Sequence, residues 1–288
     1  MSRSLIVCAI DAGATNIVRV KSSGSSSCEI TAFKTIGFGL DAFQGPKGRK
    51  AFEKLSGMLG KWGQEPLALA LSPSSILTLP AWFPAGASKE KRESLGRVEA
   101  GYFLKNVEEW SWQTMPLTLG SARTDALEQH MIMFYPAEPG RSINEQLERR
   151  YRIESSGLHI EPIVRLTTGS REPMAVLELE AEYAAFYVSR AGKAETFRYW
   201  PVKNSNEREF FAITELGTSP VACVKVTGLA ADQATVKRIA AGTDRTLEAL
   251  GLPQQVTISP EAKGCPHSTG VIRAVSTALM ALSPLSAG

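Results

Sequence analysis

The sequence predicts a mixed α/β protein whose two halves share a similar order of elements. Short runs of apolar and β-branched residues alternate with longer segments in which apolar residues recur every three or four positions. This is the pattern of strands separated by helices. An order of three strands, a helix and a further strand occurs at the start of the chain and again after residue 171. The repetition lies in the order of elements and not in the residues themselves.

The first strands flank a tight turn. The apolar run at residues 4–10 ends in Asp11-Ala12-Gly13, and β-branched residues resume at residue 17. Aspartate and glycine favour turns, so two strands joined by a short loop are expected. The elements predicted for the first half are strands at 4–10, 17–20 and 28–33, a helix at 49–62, and strands at 67–71 and 76–79.

The middle of the chain predicts a small α/β subdomain with its own sheet. Ser88 is suited to cap a helix whose first turns are highly charged. The elements predicted here are a helix at 88–104, strands at 110–117 and 129–135, a helix at 142–152 and a strand at 159–166.

A second three-stranded meander opens the last part of the chain. Two of its strands are joined by residues 190–193, a loop in which Gly192 can take a positive φ. The elements predicted here are strands at 174–179, 184–189 and 195–200, a helix at 206–216, a strand at 221–226, a helix at 232–250, a strand at 255–258 and a helix at 270–282.

Composition predicts an ordinary folded protein. Of the 288 residues 43% are hydrophobic and 21% are charged, which is typical of globular chains and excludes a disordered or fibrous class. The net charge of +3 gives no electrostatic footprint for nucleic acid. The apolar start is too short for a signal peptide, and no stretch is long enough to span a membrane. The four cysteines lie far apart, which argues against disulfides and favours the cytoplasm.

The turn after the first strand reads Asp-Ala-Gly-Ala-Thr-Asn over residues 11–16. It resembles the first phosphate loop of the actin, sugar-kinase and heat-shock-chaperone superfamily, although an ordinary hairpin also favours Asp and Gly. The resemblance implies that Asp11 acts through a metal or its water, that Gly13 lets backbone N–H groups approach phosphate, and that the Thr15 hydroxyl contacts an oxygen. Vestigial nucleotide contacts are therefore expected at Asp11, Gly13, Thr15, Asn16 and, in the adenosine loop, Gly228.

A longer series of segments also has a recognisable pattern. The segments are residues 67–75, Leu-Pro-Ala at 79–81, a polar helix ending in Val-Glu-Ala at 98–100, an aromatic strand at 108–112, and Gly-Leu-His-Ile-Glu-Pro at 157–162. Together they resemble the PilM family, the cytoplasmic actin-like components of type IV pilus machines, to which the cytoplasmic half of the secretion protein GspL is related.

This resemblance implies two actin-like, ribonuclease H-like lobes. The first lobe would comprise residues 1–87 and 159–170, an inserted α/β subdomain residues 88–158, and a second, reduced lobe residues 171–288. The implied partners are the tail of a membrane-anchored pilus or secretion protein, a secretion ATPase and a second copy of the chain, with no nucleic acid. The implied location is cytoplasmic and, through a partner, peripheral at the inner membrane.

The chain departs from an actin-like ATPase at two loops. The second phosphate loop should carry Asp-x-Gly, but residues 178–182 are Glu-Leu-Glu-Ala-Glu, and the adenosine loop keeps only Gly228. No histidine lies in a nucleophile motif, and Cys265-Pro266-His267 is too few ligands for zinc. We therefore expect a non-catalytic scaffold with no catalytic residue, no metal and no cofactor, in which Asp11 only shapes a turn. The alternative is a weak ATPase that binds ATP and magnesium at the first loop, with Glu178 or Glu180 on the metal.

Overall fold

A computed structural model of the chain describes residues 3–24, 27–45, 48–118 and 126–283. The strands in these residues are β1 (Ser4–Ile10), β2 (Thr15–Ser22), β3 (Cys28–Ile36), β4 (Leu67–Leu71), β5 (Leu77–Pro84), β6 (Trp110–Pro116), β7 (Leu127–Pro136), β8 (Ile153–Leu158), β9 (Met174–Leu179), β10 (Tyr183–Arg190), β11 (Lys193–Pro201), β12 (Cys223–Thr227), β13 (Thr246–Ala249) and β14 (Val256–Ile258). The helices are α1 (Leu40–Phe43), α2 (Gly48–Leu59), α3 (Lys89–Phe103), α4 (Gly140–Glu148), α5 (Ile160–Val164), α6 (Ser205–Thr218), α7 (Gln233–Ala241) and α8 (Thr269–Leu282). The mixed α/β class predicted from the sequence is confirmed.

The described chain forms two compact units. The first comprises Met1–Pro73, Ala137–Leu166 and Gly251–Gly288, and the second comprises Ser74–Pro136 and Thr167–Leu250. The first contains a six-stranded sheet in the order β14-β3-β2-β1-β4-β8. The second contains a five-stranded sheet, β11-β10-β9-β12-β13, and a three-stranded sheet, β5-β7-β6.

The central strands of the first unit's sheet are buried along most of their length. β1 pairs antiparallel with β2 and parallel with β4, and β8 continues the sheet parallel to β4. Helix α8 packs across β1, β2 and β4, so β1 has almost no polar residue along its length. Because β1, β4 and β8 are parallel, their carboxyl ends meet at one edge, where Asp11, Ser72 and His159 follow the strands. Ser72 N–H donates to the Ile10 carbonyl at 3.0 Å and so holds two of these ends together.

The second unit combines a meander with a smaller sheet. Strands β9, β10 and β11 are antiparallel, while β12 pairs parallel with β9 and β13 parallel with β12. The small sheet is covered by α3, whose Ala100 lies in a core with Phe83 and Phe134. Ser88 caps α3 as predicted, because its Oγ accepts the Lys91 N–H at 3.2 Å.

Two predicted elements are wrong. Residues 159–166 were expected as a strand, but the strand β8 ends before them and they form α5 and a turn of 3₁₀ helix. A short apolar run fits either structure, and Pro162 is tolerated there because it lies in the first turn of the helix. Residues 232–250 were expected as one helix, but α7 ends at Ala241, Gly242 caps it, and β13 follows. The Arg245 side chain holds this turn by donating from Nε to the Leu216 carbonyl at 3.1 Å.

The compact units also divide the chain differently from the predicted lobes. The last residues were expected in the second lobe, but α8 and β14 belong to the first unit because they complete its sheet and its core. The subdomain was expected as one insertion in the first lobe, yet α3, β6 and β7 belong to the second unit and only α4 and β8 belong to the first. In the second unit the Tyr199 hydroxyl accepts the Ile76 N–H at 3.1 Å and donates to the Ser74 carbonyl at 3.2 Å. Within the described residues, no helix combines the length and apolar character needed to cross a membrane.

Candidate functional site

The first loop, residues 11–14, is dominated by a buried ion pair. Arg273 on α8 donates from Nη1 to Oδ1 of Asp11 at 2.5 Å. The two side chains are only 1% and 3% exposed, so water does not screen the pair. The second oxygen of Asp11, Oδ2, is buried and has no hydrogen-bond partner among the described residues. Asp11 therefore does more than shape a turn, and that expectation was wrong.

The backbone of the same loop is clamped by the segment that leads into α1. The N–H groups of Leu40 and Asp41 donate to the carbonyls of Asp11 at 2.8 Å and Ala12 at 3.1 Å. Gly39 makes this approach possible, because a Cβ at that position would lie 2.0 Å from the Asp11 carbonyl oxygen. The loop is thus held by backbone contacts as well as by the ion pair.

The remaining predicted residues of the first loop are engaged within the fold or exposed. The Thr15 hydroxyl donates to the Phe38 carbonyl at 2.8 Å, and Oδ1 of Asn16 accepts the Thr35 hydroxyl at 2.9 Å. Gly13 is exposed, and a Cβ on it would meet nothing within 4 Å. The fold brings Asp11, Gly13, Thr15 and Asn16 together, but in this conformation the Thr15 hydroxyl bonds to the backbone.

A serine and a histidine follow the neighbouring strands of the same edge. Nδ1 of His159 lies 3.0 Å from Oγ of Ser72 and 3.1 Å from the Leu71 carbonyl oxygen. His159 is fully buried and Ser72 is 6% exposed, so a substrate could not reach this pair as it stands. We interpret it as a hydrogen-bonded end to β4 and β8. The sequence did not indicate the contact, because the two residues are 87 positions apart.

The second loop, between β9 and β10, is rich in carboxylates that point into the fold. Glu178 is fully buried, and its Oε1 accepts the Tyr183 hydroxyl at 2.5 Å. Tyr183 stacks on Tyr199 with ring centroids 5.0 Å apart. Burial, and then the nearby carboxylates of Glu178 and Glu182, raise the pKa of Tyr199. Among the three acidic residues of this loop only Glu182 is exposed.

Glu180 joins the second loop to the predicted adenosine loop of the same unit. Its Oε1 accepts the Leu229 N–H at 3.2 Å, and its carbonyl accepts Nη1 of Arg208 at 3.1 Å. Gly228 has a φ of 112°, and a Cβ on it would lie 2.0 Å from the Leu179 carbonyl oxygen. The glycine is therefore required by the packing of one loop on the other.

Magnesium and ATP, which the resemblance of the first loop implied, do not fit the residues present. At the first loop a guanidinium already neutralises Asp11, and a divalent cation beside it would meet a like charge in a buried setting. At the second, the buried Glu178 and Glu180 would repel phosphate, and Glu180 takes the Leu229 N–H. In the part of the chain that the structure describes, no group of three or more His, Cys, Asp or Glu side chains could hold a metal ion.

Two residues that shape the first loop have no signal in the sequence around it. Arg273 lies 262 positions from Asp11 and sits in an otherwise apolar helix, where a lone arginine could have been taken for a solvent-facing residue. Gly39 precedes a helix of one turn. The unusual feature that could have indicated a role for Arg273 is a charge on a helix that is buried along most of its length.

Comparison with known proteins identifies the fold. No protein-family model and no curated protein sequence matches this chain. A chain of a PilM–PilN type IV pilus biogenesis complex superposes with a TM-score of 0.74 at 16% identity, covering 97% of this chain and 99% of that one. A Bacteroides thetaiotaomicron protein with an actin-like ATPase fold and unknown function gives 0.53 at 9% identity, covering 96% of each chain.

A weaker similarity is to the cytoplasmic domain of EpsL, an inner membrane component of the type II secretion system of Vibrio cholerae. Its TM-score is 0.48 at 11% identity, covering 88% of this chain and 92% of that one. The first two similarities extend over nearly the whole chain, and at these identities they establish the fold. The predicted resemblance to PilM is thus confirmed at the level of structure, and the chain has the actin-like fold.

Proposed function

We propose that this chain is a non-catalytic scaffold of a type IV pilus or type II secretion-like assembly, and that it binds the cytoplasmic tail of a membrane-anchored partner. The whole-length similarity to a chain of a PilM–PilN complex supports this assignment. A secretion ATPase and a second copy of the chain are the further partners we propose. The chain then acts in the cytoplasm, and its partner holds it at the inner membrane.

The observation that carries the proposal is an apolar surface on α3, which we call the α3 outer face. It consists of Val98, Tyr102 and Phe103, whose exposed fractions are 55%, 77% and 63%. Val98 and Tyr102 are four positions apart and so lie on the same side of the helix. The side opposite Val98 and Tyr102 carries Ala100, which is fully buried against the small sheet, and Phe103, the last residue of the helix, lies between these two sides.

An aromatic pair of this kind at the surface favours binding over chemistry. Aromatic residues supply much of the binding energy of protein interfaces, and neighbouring exposed apolar side chains often mark such interfaces. The α3 helix carries none of the loop residues described above, and the half-buried Glu99 lies beside Tyr102 and Phe103, three and four positions before them. A tail that presents apolar side chains would gain contact area there.

The lack of catalysis is supported by how the loops are occupied. Phosphoryl transfer needs donors and a cation aimed at the transferred group. Here the Leu229 N–H bonds to Glu180, and Asp11 bonds to Arg273. In each loop these groups bond to residues of the same unit. We therefore propose that the chain needs neither ATP nor magnesium for its function.

Binding of the tail can be measured directly. The neighbouring genes would identify a membrane protein with one span, and its cytoplasmic tail can be made as a fluorescent peptide. We expect saturable binding by anisotropy, and about a tenfold or greater rise in Kd for Tyr102→Ser, since a central aromatic contact is worth about 2 kcal/mol. Phe210→Ser is the matched control, because Phe210 is 73% exposed on α6 in the other part of the second unit.

Two results would contradict the proposal. One is a tail that does not bind the wild-type chain at peptide concentrations of about 1 mM, which corresponds to an affinity too weak for a specific contact. The other is equal binding by wild type, Tyr102→Ser and Phe210→Ser, which would remove the α3 outer face from the interaction.

A further inference from the structure

We propose that Arg273 is a permanent internal counter-ion of Asp11 and that it excludes divalent cations from the first loop. The inference deepens the proposed lack of catalysis and is independent of where the tail binds. It assigns a role to a buried arginine that the loop sequence does not indicate.

The first argument is the closeness and burial of the two charges. Nη1 of Arg273 and Oδ1 of Asp11 are 2.5 Å apart, so no ion fits between them. Both side chains are almost fully buried. A buried carboxylate is strongly destabilising unless it is paired, and the same holds for a buried guanidinium. Each of the two charges is therefore stable inside the fold only because the other compensates it.

The second argument is that Arg273 cannot easily leave. It lies within α8, where Ile272 and Ala274 on either side are also buried. The start of the helix is pressed onto the loop region, because a Cβ on Gly270 would lie 1.9 Å from Nδ2 of Asn16. A guanidinium has a pKa too high to lose its proton in a protein, so the counter-ion is also independent of pH.

The third argument is the cost of adding a second cation. At about 4 Å, like charges repel strongly in a medium of low dielectric constant. Magnesium also requires near-octahedral oxygen ligands, and Arg273 supplies only donors. The one remaining oxygen of Asp11, Oδ2, is a single ligand with a positive charge beside it. A divalent ion at this loop would have to displace Arg273.

Thermal unfolding of variants in which one or both charges are neutralised tests the counter-ion role. Arg273→Met removes the charge while retaining an apolar chain, and Asp11→Asn removes the partner charge. We expect both single variants to have a lower Tm than wild type. The double variant should have a higher Tm than at least the Arg273→Met variant, because it leaves no buried charge alone. A double variant no more stable than either single variant, or one that fails to fold while the single variants fold, would overturn the role.

Magnesium chloride alone, against sodium chloride at equal ionic strength, tests the exclusion. We expect about 10 mM Mg²⁺ to leave the Tm of wild type unchanged and to raise that of Arg273→Met, where Asp11 has lost its counter-ion. Arg208→Met is the matched control, since Arg208 is a buried arginine of the other unit, and it should not respond. A rise in wild type, or a folded Arg273→Met variant without a response, would overturn the exclusion. If Arg273→Met does not fold, the wild-type Tm with and without magnesium still tests the exclusion.

These outcomes are distinguishable from failure of the proposed function. The Tm series reports on a pair in the first unit, whereas tail binding reports on the α3 outer face. A wild-type chain that binds magnesium yet also binds the tail would retain the scaffold function and lose the counter-ion inference.

Discussion

Gly228 lies so close to the end of β9 that a Cβ on it would be 2.0 Å from the carbonyl oxygen of Leu179. The neighbouring Ala230 N–H donates to that same carbonyl at 3.0 Å. The glycine therefore serves the contact between two loops of the second unit. A glycine that resembles the remnant of a nucleotide loop has a reason to be there without any nucleotide.

Replacing Gly228 by alanine is expected to destabilise the protein. The φ of 112° is unfavourable for any residue with a side chain, by about 1–3 kcal/mol, and the contact with Leu179 adds a steric cost. Urea unfolding measures the loss. Gly217→Ala is the control, because Gly217 lies in α6 with open space around it, and alanine there should stabilise by roughly 0.5–1 kcal/mol. Equal stability of the two variants would contradict the packing role.

The glycine of the first loop is expected to be dispensable for folding, while a glycine outside the motif is not. Gly13 is exposed and a Cβ on it would meet open space, so Gly13→Ala should unfold like wild type. Gly39→Ala should be destabilised by at least about 1 kcal/mol, because its Cβ would overlap the Asp11 carbonyl and push α1 from the loop. Chemical denaturation of both variants would reveal the difference, and a destabilised Gly13→Ala with an unaffected Gly39→Ala would reverse the assignment.

One cysteine in four is expected to react in the folded protein. Burial raises the pKa of Cys8 and of Cys28 to about 12, and it also raises that of Cys265, so their thiolates are scarce at about pH 8. Cys223 is exposed on β12. A thiol reagent such as Ellman's should therefore titrate about one group in native protein and all four after denaturation. The native Cys223→Ser variant should react with almost none of the reagent. Rapid reaction of that variant would contradict the burial of Cys8, Cys28 and Cys265.

An ion pair between α6 and α7 is expected to give the stability of the protein a small pH dependence. Arg238 donates to both oxygens of Glu209, at 3.0 Å from Nε and 2.6 Å from Nη2, and this bonding lowers the pKa of Glu209. A lowered carboxyl pKa stabilises the fold above the ordinary value of 4.5, and the stabilisation disappears as the pH falls through the folded-state pKa. The effect is small because Arg238 is largely exposed.

The measurement is the difference in urea midpoint between wild type and Glu209→Gln, followed from neutral pH downward. The difference should be positive at neutral pH and should shrink as Glu209 becomes protonated. Glu145→Gln, on the exposed side of α4, is the control and should match wild type throughout. A difference that grows as the pH falls would contradict a lowered pKa of Glu209.

The fold was predictable where one segment determines its own structure. The runs that became β1, β4 and β9 are apolar over most of their length, and α8 repeats apolar residues at helical spacing. The predictions were wrong where a short segment suits two structures. Residues 159–166 became α5, and the expected helix after Asp232 stops at Gly242 because the chain must turn back to add β13 to the sheet.

The candidate site was predictable only in its position. The turn at Asp11 could be located from its residues, but its chemistry depends on Arg273, Gly39 and Phe38, which the fold brings to it from elsewhere. Such contacts have no local periodicity, so a single sequence contains no signal for them. The carboxylates of the second loop could be seen in the sequence, but not that Glu180 turns inward to the Leu229 N–H.

The position of α8 has a consequence for how the protein is made. The first unit begins with β1, yet the helix that covers this strand is synthesised only after the whole of the second unit. While the ribosome is still translating residues 74–250, the apolar face formed by β1, β2 and β4 has no α8 to cover it. Nascent chains with exposed apolar sheets tend to associate wrongly. Both segments of the second unit are complete before α8 is made, so we expect the first unit to finish folding after the second and to depend on a chaperone until then.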